Sequence, residues 1–596
     1  MERIFVVGNK SNSKWWKSLP NATYDSLPSF SLGEDGEAKM SEYVSTKVPD
    51  DITACVIDAD NMLNVEICLA FAMALRLSVF DKHAAALVPI IFVTRSDSYI
   101  FYGYKYSAII LTGSVVLEIP ENTLEALQSI KSLTPKEYID NFLNIIKILP
   151  NAIEGRHSLA NQWGADILCR IICGATIGNE MIRRTRQSLY FRYTLAQTLT
   201  SQQIHDIAAG GSLYNNTETL PQIEATGKKV LLLDDEANKG WSDVLGVLLK
   251  GAELVTVSQK ASCYDDLPID VCRHLEEGVY DLVFLDLRMN GVQEEKVLSP
   301  NEFSGMKILK AIKAANQGIQ VIMFTASNKA WNMKALLDAG ADGYYIKESP
   351  EFAFPNSYSV SNANQFIQSI KLCLDNGYLR NIYSKVWKVK DLIETTCLFG
   401  ERTKEVLTNI DVAYNLLAHG RNRAEYQAYA YLQLFLTIEK YVRLCSDFDF
   451  PVPNSDSDLY LNNGDKRYRI LKDRSKNGYE SAISMEYGHY IIKNGKYLTK
   501  TGFVDTNFLV SAILIYKFGK ENSAANKWTK IYKVRNEKAA HSKESTVSID
   551  DFDRILEFML FFFDPANIKW RDTNQAFPEE SMDDSVKKLL NKYSNV

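Results

Sequence analysis

Between residues 229 and 349 the chain repeats one arrangement four times: an apolar run that stops on a polar or charged residue. The runs are KVLLLDDE (229–236), DLVFLDL (281–287), QVIMFTAS (320–327) and DGYYIKES (342–349). VTVSQ (255–259) fits between the first two as a further strand, and helical patterns such as 306–315 and 330–340 lie between runs. Strands alternating with helices imply a parallel sheet, and ligands of such sheets bind beyond the strands' carboxyl ends. Those ends carry Asp234 and Asp235, Asp286, Thr325 and Lys347. A carboxylate at the end of a core strand is costly to desolvate, and gathered carboxylates repel one another. A divalent cation that prefers oxygen ligands and keeps several waters, as Mg²⁺ does, relieves both problems. A carboxylate held there can attack a phosphoryl group while a lysine and a hydroxyl neutralise the transferred oxygens.

This order of residues resembles the response-regulator receiver domain. The resemblance implies that Asp286 is the phosphoacceptor and that Asp234, Asp235 and Asp286 hold Mg²⁺. It also implies that Thr325 and Lys347 stabilise the phosphoryl group, that Tyr344 is the aromatic switch, and that a histidine kinase is the donor. Two features depart from the family pattern. The segment LRMNGVQEEKVLSPNEFSG after Asp286 is long and has no proline directly after its Met, and Glu348 follows Lys347 where the family usually has proline. The alternative is a flavodoxin-like domain with unrelated acids at its strand ends.

Residues 1–118 have the same alternation, with RIFVVG, ACVIDAD, PIIFVT and SAIILTG as strands. Asp58 and Thr94 stand where Asp286 and Thr325 would, but the first strand leads into GNKSNSKWW, without an acidic pair. The spacing is similar to a degenerate receiver used for packing or dimerisation. Alternatively, Gly8-Asn9-Lys10-Ser11 forms an anion-binding nest at a strand end. Residues 119–222 read as a helical connector, with amphipathic stretches at 123–146 and 165–200 and a polar linker AAGGSLYNNTETLPQ (208–222). His157, in a polar segment, is given no role.

From residue 379 to 596 the pattern is helical, interrupted by a polar stretch whose Asn494-Gly495 fits a type I′ hairpin turn. RAEYQAYAYLQLFLTIEKYVRL (423–444) and DFDRILEFMLFFF (551–563) are apolar at helical spacing. Between them, IYKVRNEKAAHSKES contains Arg535, Asn536 and His541. This resembles the Arg-x(4–6)-His motif of the HEPN superfamily of helical bundles, which includes prokaryotic toxins and CRISPR-associated ribonucleases. The resemblance implies metal-independent RNA cleavage with Arg535, Asn536 and His541 catalytic. A histidine near neutral pKa can carry the proton, and an arginine can stabilise charge on phosphorus. Six helical residues leave Arg535 and His541 roughly 120° apart; the resemblance implies a cleft shared by a homodimer, which would ease that geometry. Residues 465–543 hold 17 Lys/Arg against 7 Asp/Glu, whereas the whole chain has a net charge of −6. Tyr468, Tyr479, Tyr487, Tyr490 and Tyr497 interleave, which suits RNA through phosphate contact and stacking.

The fold expected is therefore multidomain: two flavodoxin-like α/β domains (1–118 and 227–378), a connector, and a HEPN-like helical bundle (379–596) with a hairpin insertion. The function expected is a two-component response regulator with an endoribonuclease output, by analogy in anti-phage defence. The rival is a bundle that only dimerises or docks. No helix-turn-helix signature supports a transcription factor. Nine cysteines are scattered without zinc spacing, no signal peptide is visible, and no apolar run approaches the length of about 20 needed to span a bilayer. A reducing, cytoplasmic protein without membrane contact is expected.

Overall fold

The structure, a computed structural model, describes residues 3–8, 14–29, 34–60, 65–149, 155–174, 178, 180–209, 219–258, 273–274, 280–289, 294, 297, 299–325, 330–349, 354–420, 423–449, 460–464, 467–469, 471–474, 480–486, 489–495, 506–519, 522–540 and 546–570. The chain forms two compact units, Met1–Lys313 with Gln320–Leu374, and Ala314–Ile319 with Asp375–Val596.

The first unit opens with a five-stranded parallel sheet of β1 (Ile4–Gly8), β2 (Ala22–Ser26), β3 (Ala54–Asp58), β4 (Ile90–Val93) and β5 (Val115–Glu118), in the order 2-1-3-4-5. Strands β1, β3 and β4 are buried along their whole length, as strands covered on both faces must be. On one face Phe5, Val7, Ile57 and Phe92 pack with α1 (Glu34–Lys47) and α2 (Val65–Arg76). On the other, Val6, Val56 and Ile91 meet Ala126 of α3 (Thr123–Ser129).

Four connector helices follow: α4 (Gly155–Cys173), α5 (Glu180–Gln187), α6 (Leu189–Gln197) and α7 (Ser201–Ala208). Leu189, Tyr193, Ile204 and Ile207 join the core of the first sheet. Trp163, Leu168, Ile172, Ile182 and Phe191 join that of the second. The second sheet consists of β6 (Lys229–Leu233), β7 (Glu253–Val257), β8 (Leu282–Asp286), β9 (Val321–Thr325) and β10 (Gly343–Ile346), parallel and again in the order 2-1-3-4-5. Around it lie α8 (Trp241–Leu248), α9 (Ser304–Ala315), α10 (Ala330–Asp338) and α11 (Asn356–Asp375).

The second unit is built on α12 (Leu379–Thr395), α13 (Thr403–His419), α14 (Ala424–Leu444), α15 (Thr506–Ala512), α16 (Asn522–Val534) and α17 (Ile549–Phe563). Its core is aromatic: Tyr431, Phe435, Trp528, Phe552, Phe558 and Phe562 pack together, and Trp528 stacks on Phe435. Two π-helical turns, Ile513–Lys517 and Arg535–Ala539, extend α15 and α16. Short antiparallel strands lie between α14 and α15.

Several elements differ from the sequence expectation. SAIILTG is not a strand: Ser107–Leu111 is a 3₁₀ turn that buries Ile109 and Ile110, and β5 follows it. Strand β2, ATYDS, is a half-exposed edge strand without an apolar run, which hid it. The stretch 123–146 is broken because Pro135 starts a new turn, capped by Thr134. The stretch 165–200 is broken at Gly174, in the left-handed region, and at Ser188, which is extended. Glu486 pairs with His489 and Glu480 with Gly495, so Asn494 and Gly495 are strand positions and not the turn expected of them.

Candidate functional site

Register explains how the second sheet gathers its polar residues. Leu285 pairs with Leu233 and Asp286 with Phe324, so Asp234 and Asp286 end neighbouring strands at one height. Thr325 pairs with Ile346, which places Lys347 one step beyond on the next strand. Asp234, Asp235, Asp286, Thr325 and Lys347 are all buried, and Tyr344 lies exposed on β10.

Lys347 Nζ lies 2.7 Å from Asp234 Oδ2 and 2.6 Å from Asp286 Oδ1. The other oxygen of each carboxylate accepts a backbone N–H, from Glu236 at 2.8 Å and from Arg288 at 2.9 Å. The lysine also sits 5.6 Å from the rings of Trp241 and Phe324. Burial alone would pull its pKa down, but Asp234 and Asp286 offset this and hold it above the ordinary value. Burial holds the Asp234 carboxyl above its ordinary value, against the pull of Lys347.

Among the described residues, no three carboxylate, histidine or cysteine side chains converge on one metal position; Lys347 instead lies between two of the acids. The donor chemistry still fits a hard cation: Asp234, Asp235 and Asp286 are buried carboxylates at neighbouring strand ends, and Lys347 bridges Asp234 and Asp286.

The segment after Asp286 is anchored by residues that sequence reasoning missed. Buried Glu294 accepts from Ser304 N at 2.6 Å and from Ser304 Oγ at 3.0 Å, while Ser304 Oγ accepts from Met289 N at 2.8 Å. Gly305 lies so close to Asp286 that a Cβ there would stand 2.1 Å from its carbonyl oxygen. The Ser304-Gly305 pair opening a helix was the available signal; Glu294, within a polar run, gave none. Glu348 is buried as well and accepts from Ser359 Oγ at 2.5 Å.

The first sheet offers a comparison by register. Gly8 pairs with Asp58, Asp58 with Val93, and Val93 with Glu118. Gly8 therefore stands at the position of Asp234, Thr94 at that of Thr325, and Pro120 at that of Lys347. A Cβ on Gly8 would lie 2.7 Å from Asp58 Cβ, so no acid fits there without movement. Asn9, Lys10 and Ser11 lie outside the described residues.

In the second unit, Arg535 and Asn536 occupy the π-helical turn after α16. Arg535 Nη1 donates to Asn536 Oδ1 at 2.9 Å, and its guanidinium lies 5.5 Å from the Phe435 ring. His541 lies outside the described residues, as do Tyr479, Tyr487 and Tyr497.

Residues 230–353 match the family profile described as the response regulator receiver domain. Over 128 residues the chain is 31% identical to the nitrate/nitrite response regulator protein NarP of Escherichia coli (strain K12), a stretch covering 21% of this chain and 51% of NarP. The chain thus spans about half the length of that curated relative. Residues 230–353 are a response regulator receiver domain, a class that typically uses Mg²⁺ at its phosphorylation site. Among the described residues, no helix is long and apolar enough to cross a membrane.

Proposed function

We propose that the chain is a two-component response regulator in which Asp286 accepts a phosphoryl group from a histidine kinase. The observation that carries this reading is the buried Lys347 bridging Asp234 and Asp286 at the carboxyl ends of parallel strands. Asp286 Oδ attacks phosphorus, the donor's bond to phosphorus breaks, and an acyl phosphate forms. Lys347 and Thr325 neutralise the transferred oxygens. Asp234, Asp235 and Asp286 would hold Mg²⁺, which neutralises charge on the carboxylates and the phosphoryl group when bound. Tyr344, exposed on β10, would report the change at the surface. The test is phosphoryl transfer from acetyl phosphate with Mg²⁺: wild type becomes labelled and Asp286→Asn does not. Label that persists in Asp286→Asn, or moves to Asp58, overturns the assignment.

The first α/β domain is on this reading a receiver-like fold without phosphoryl chemistry. Gly8 and Pro120 at the positions of Asp234 and Lys347 support it. For residues 379–596 the output proposed is a HEPN-like, metal-independent endoribonuclease acting as a homodimer on RNA, with Arg535, Asn536 and His541 at its centre. The helical core and the Arg535–Asn536 pair on a π-helical turn support this, since such turns recur at functional sites. The second reading, a docking or dimerisation module without catalysis, is favoured by the engagement of Arg535 with Asn536 and Phe435 inside its own unit. RNA cleavage in EDTA that is lost in His541→Ala supports the enzyme; equal cleavage by both proteins leaves the docking module.

A further inference from the structure

Helix α4 precedes the receiver in sequence by a long stretch, yet it touches the receiver at three points beside the acidic site. Asn161 is fully buried. Its Nδ2 donates to Glu236 Oε2 at 2.8 Å, and its Oδ1 accepts from Trp241 Nε1 at 3.1 Å. The indole can only donate, so the amide orientation follows from chemistry: the oxygen faces Trp241 and the nitrogen faces the carboxylate. Three residues on, Gly164 lies against the backbone of Glu348, where a Cβ would stand 3.2 Å from its nitrogen.

Each contact leads one step into the site. The Glu236 N–H holds Asp234 Oδ1. The Trp241 ring lies beside Lys347 Nζ. Glu348 follows Lys347 in the chain. The two hydrogen bonds of one connector side chain thus end on the groups that flank Asp234 and Lys347, the two partners of the phosphoacceptor's charge network.

We propose that Asn161 is a positioning residue for phosphoryl transfer at Asp286, and that α4 is the element through which the state of the site passes to the rest of this unit. The inference rests on the reading of Asp286 as phosphoacceptor. Linkage makes it reciprocal: if the α4 contact favours one arrangement of Asp234 and Lys347, then filling the site must alter the α4 contact by the same factor.

The experiment measures the initial rate of labelling of the full chain by acetyl phosphate with Mg²⁺, well below the melting temperature, with folding checked by circular dichroism. Asn161→Ala should label about 10-fold more slowly, less than the roughly 100-fold that a 1 Å misplacement of a reacting group can cost. Asn161→Asp should do no better, because it sets a second carboxylate against Glu236. Adding Glu236→Gln to Asn161→Asp restores a donor–acceptor pair and should return the rate to within about threefold of wild type. Hydrogen exchange along α4 should change on labelling of wild type and stay unchanged in Asp286→Asn. Wild type that takes no label overturns the phosphoacceptor reading and this inference with it. Labelling of wild type and Asn161→Ala at one rate overturns this inference alone, even if the variant melts lower, since the role is then only structural. A double variant as slow as Asn161→Ala, or α4 exchange indifferent to labelling, overturns it equally.

Discussion

Two glycines in receiver helices should respond in opposite ways to the same methyl group. Gly305 is in the first turn of α9, and a Cβ there would stand 2.1 Å from Asp286 O, 2.7 Å from Leu287 Cα and 2.8 Å from Leu287 O. All three are backbone atoms, so no side chain can swing aside. Replacing a helical glycine by alanine ordinarily stabilises by about 1 kcal/mol. Overpacking costs about 1–3 kcal/mol, and an obstruction by rigid backbone belongs at the upper end. Gly305→Ala should therefore destabilise by about 2 kcal/mol net. The atom displaced is the carbonyl of Asp286, the proposed phosphoacceptor, and a shift of about 1 Å in a reacting group can cost about 100-fold in rate. Labelling by acetyl phosphate should fall well beyond what the stability loss accounts for. Gly246, exposed in α8 with nothing within 4 Å of the added methyl, is the control. Gly246→Ala should gain about 1 kcal/mol and label like wild type. Thermal melting and labelling rates of the two variants check this. A Gly305→Ala protein that melts and labels as wild type would refute the close approach.

Lys347→Met leaves Asp234 and Asp286 buried without their cation and should destabilise by about 3–5 kcal/mol at neutral pH. The loss should fade in acid, where the carboxylates protonate, and urea melts at both pH values read it. Burial holds the Glu348 carboxyl above the ordinary glutamate range, so ionising it destabilises the fold as pH rises from the unfolded value through the folded one. Glu348→Gln should match wild type in acid and melt above it near neutrality; the reverse trend refutes the sign. The buried Arg76 guanidinium donates to the carbonyls of Ala86 at 2.8 Å, Val88 at 2.6 Å and Ser114 at 3.0 Å. Arg76→Met strands these acceptors and should destabilise the first unit by about 3 kcal/mol or more, with unchanged melting as the contrary result.

Asp234, Asp286, Thr325 and Lys347 were legible because each ends an apolar run, and a parallel sheet collects strand ends on one side. Register then needed only Leu233 opposite Leu285. Trp241, Asn161 and Glu294 were illegible because their roles come from contacts between segments far apart in sequence; in its own segment Trp241 is only an apolar residue opening a helix. Strand β2 escaped because an edge strand need not be apolar. SAIILTG misled because a short apolar run suits a strand and a buried turn equally. Asn494-Gly495 is a strong turn signal, yet the observed pairing sets both residues in a strand.

The likeness of the two sheets gains meaning from what lies between them. Helix α6 is shared: Leu189, Tyr193 and Ala196 are in the core of the first sheet, while Phe191 is in that of the second. Tyr190 packs against both. Shifting one domain against the other would expose at least Tyr193 or Phe191, at about 1.5–3 kcal/mol for each side chain. That is no smaller than the coupling of about 1–3 kcal/mol that one site usually exerts on another. The packing of α6 in both cores therefore opposes sliding of the first domain over the connector.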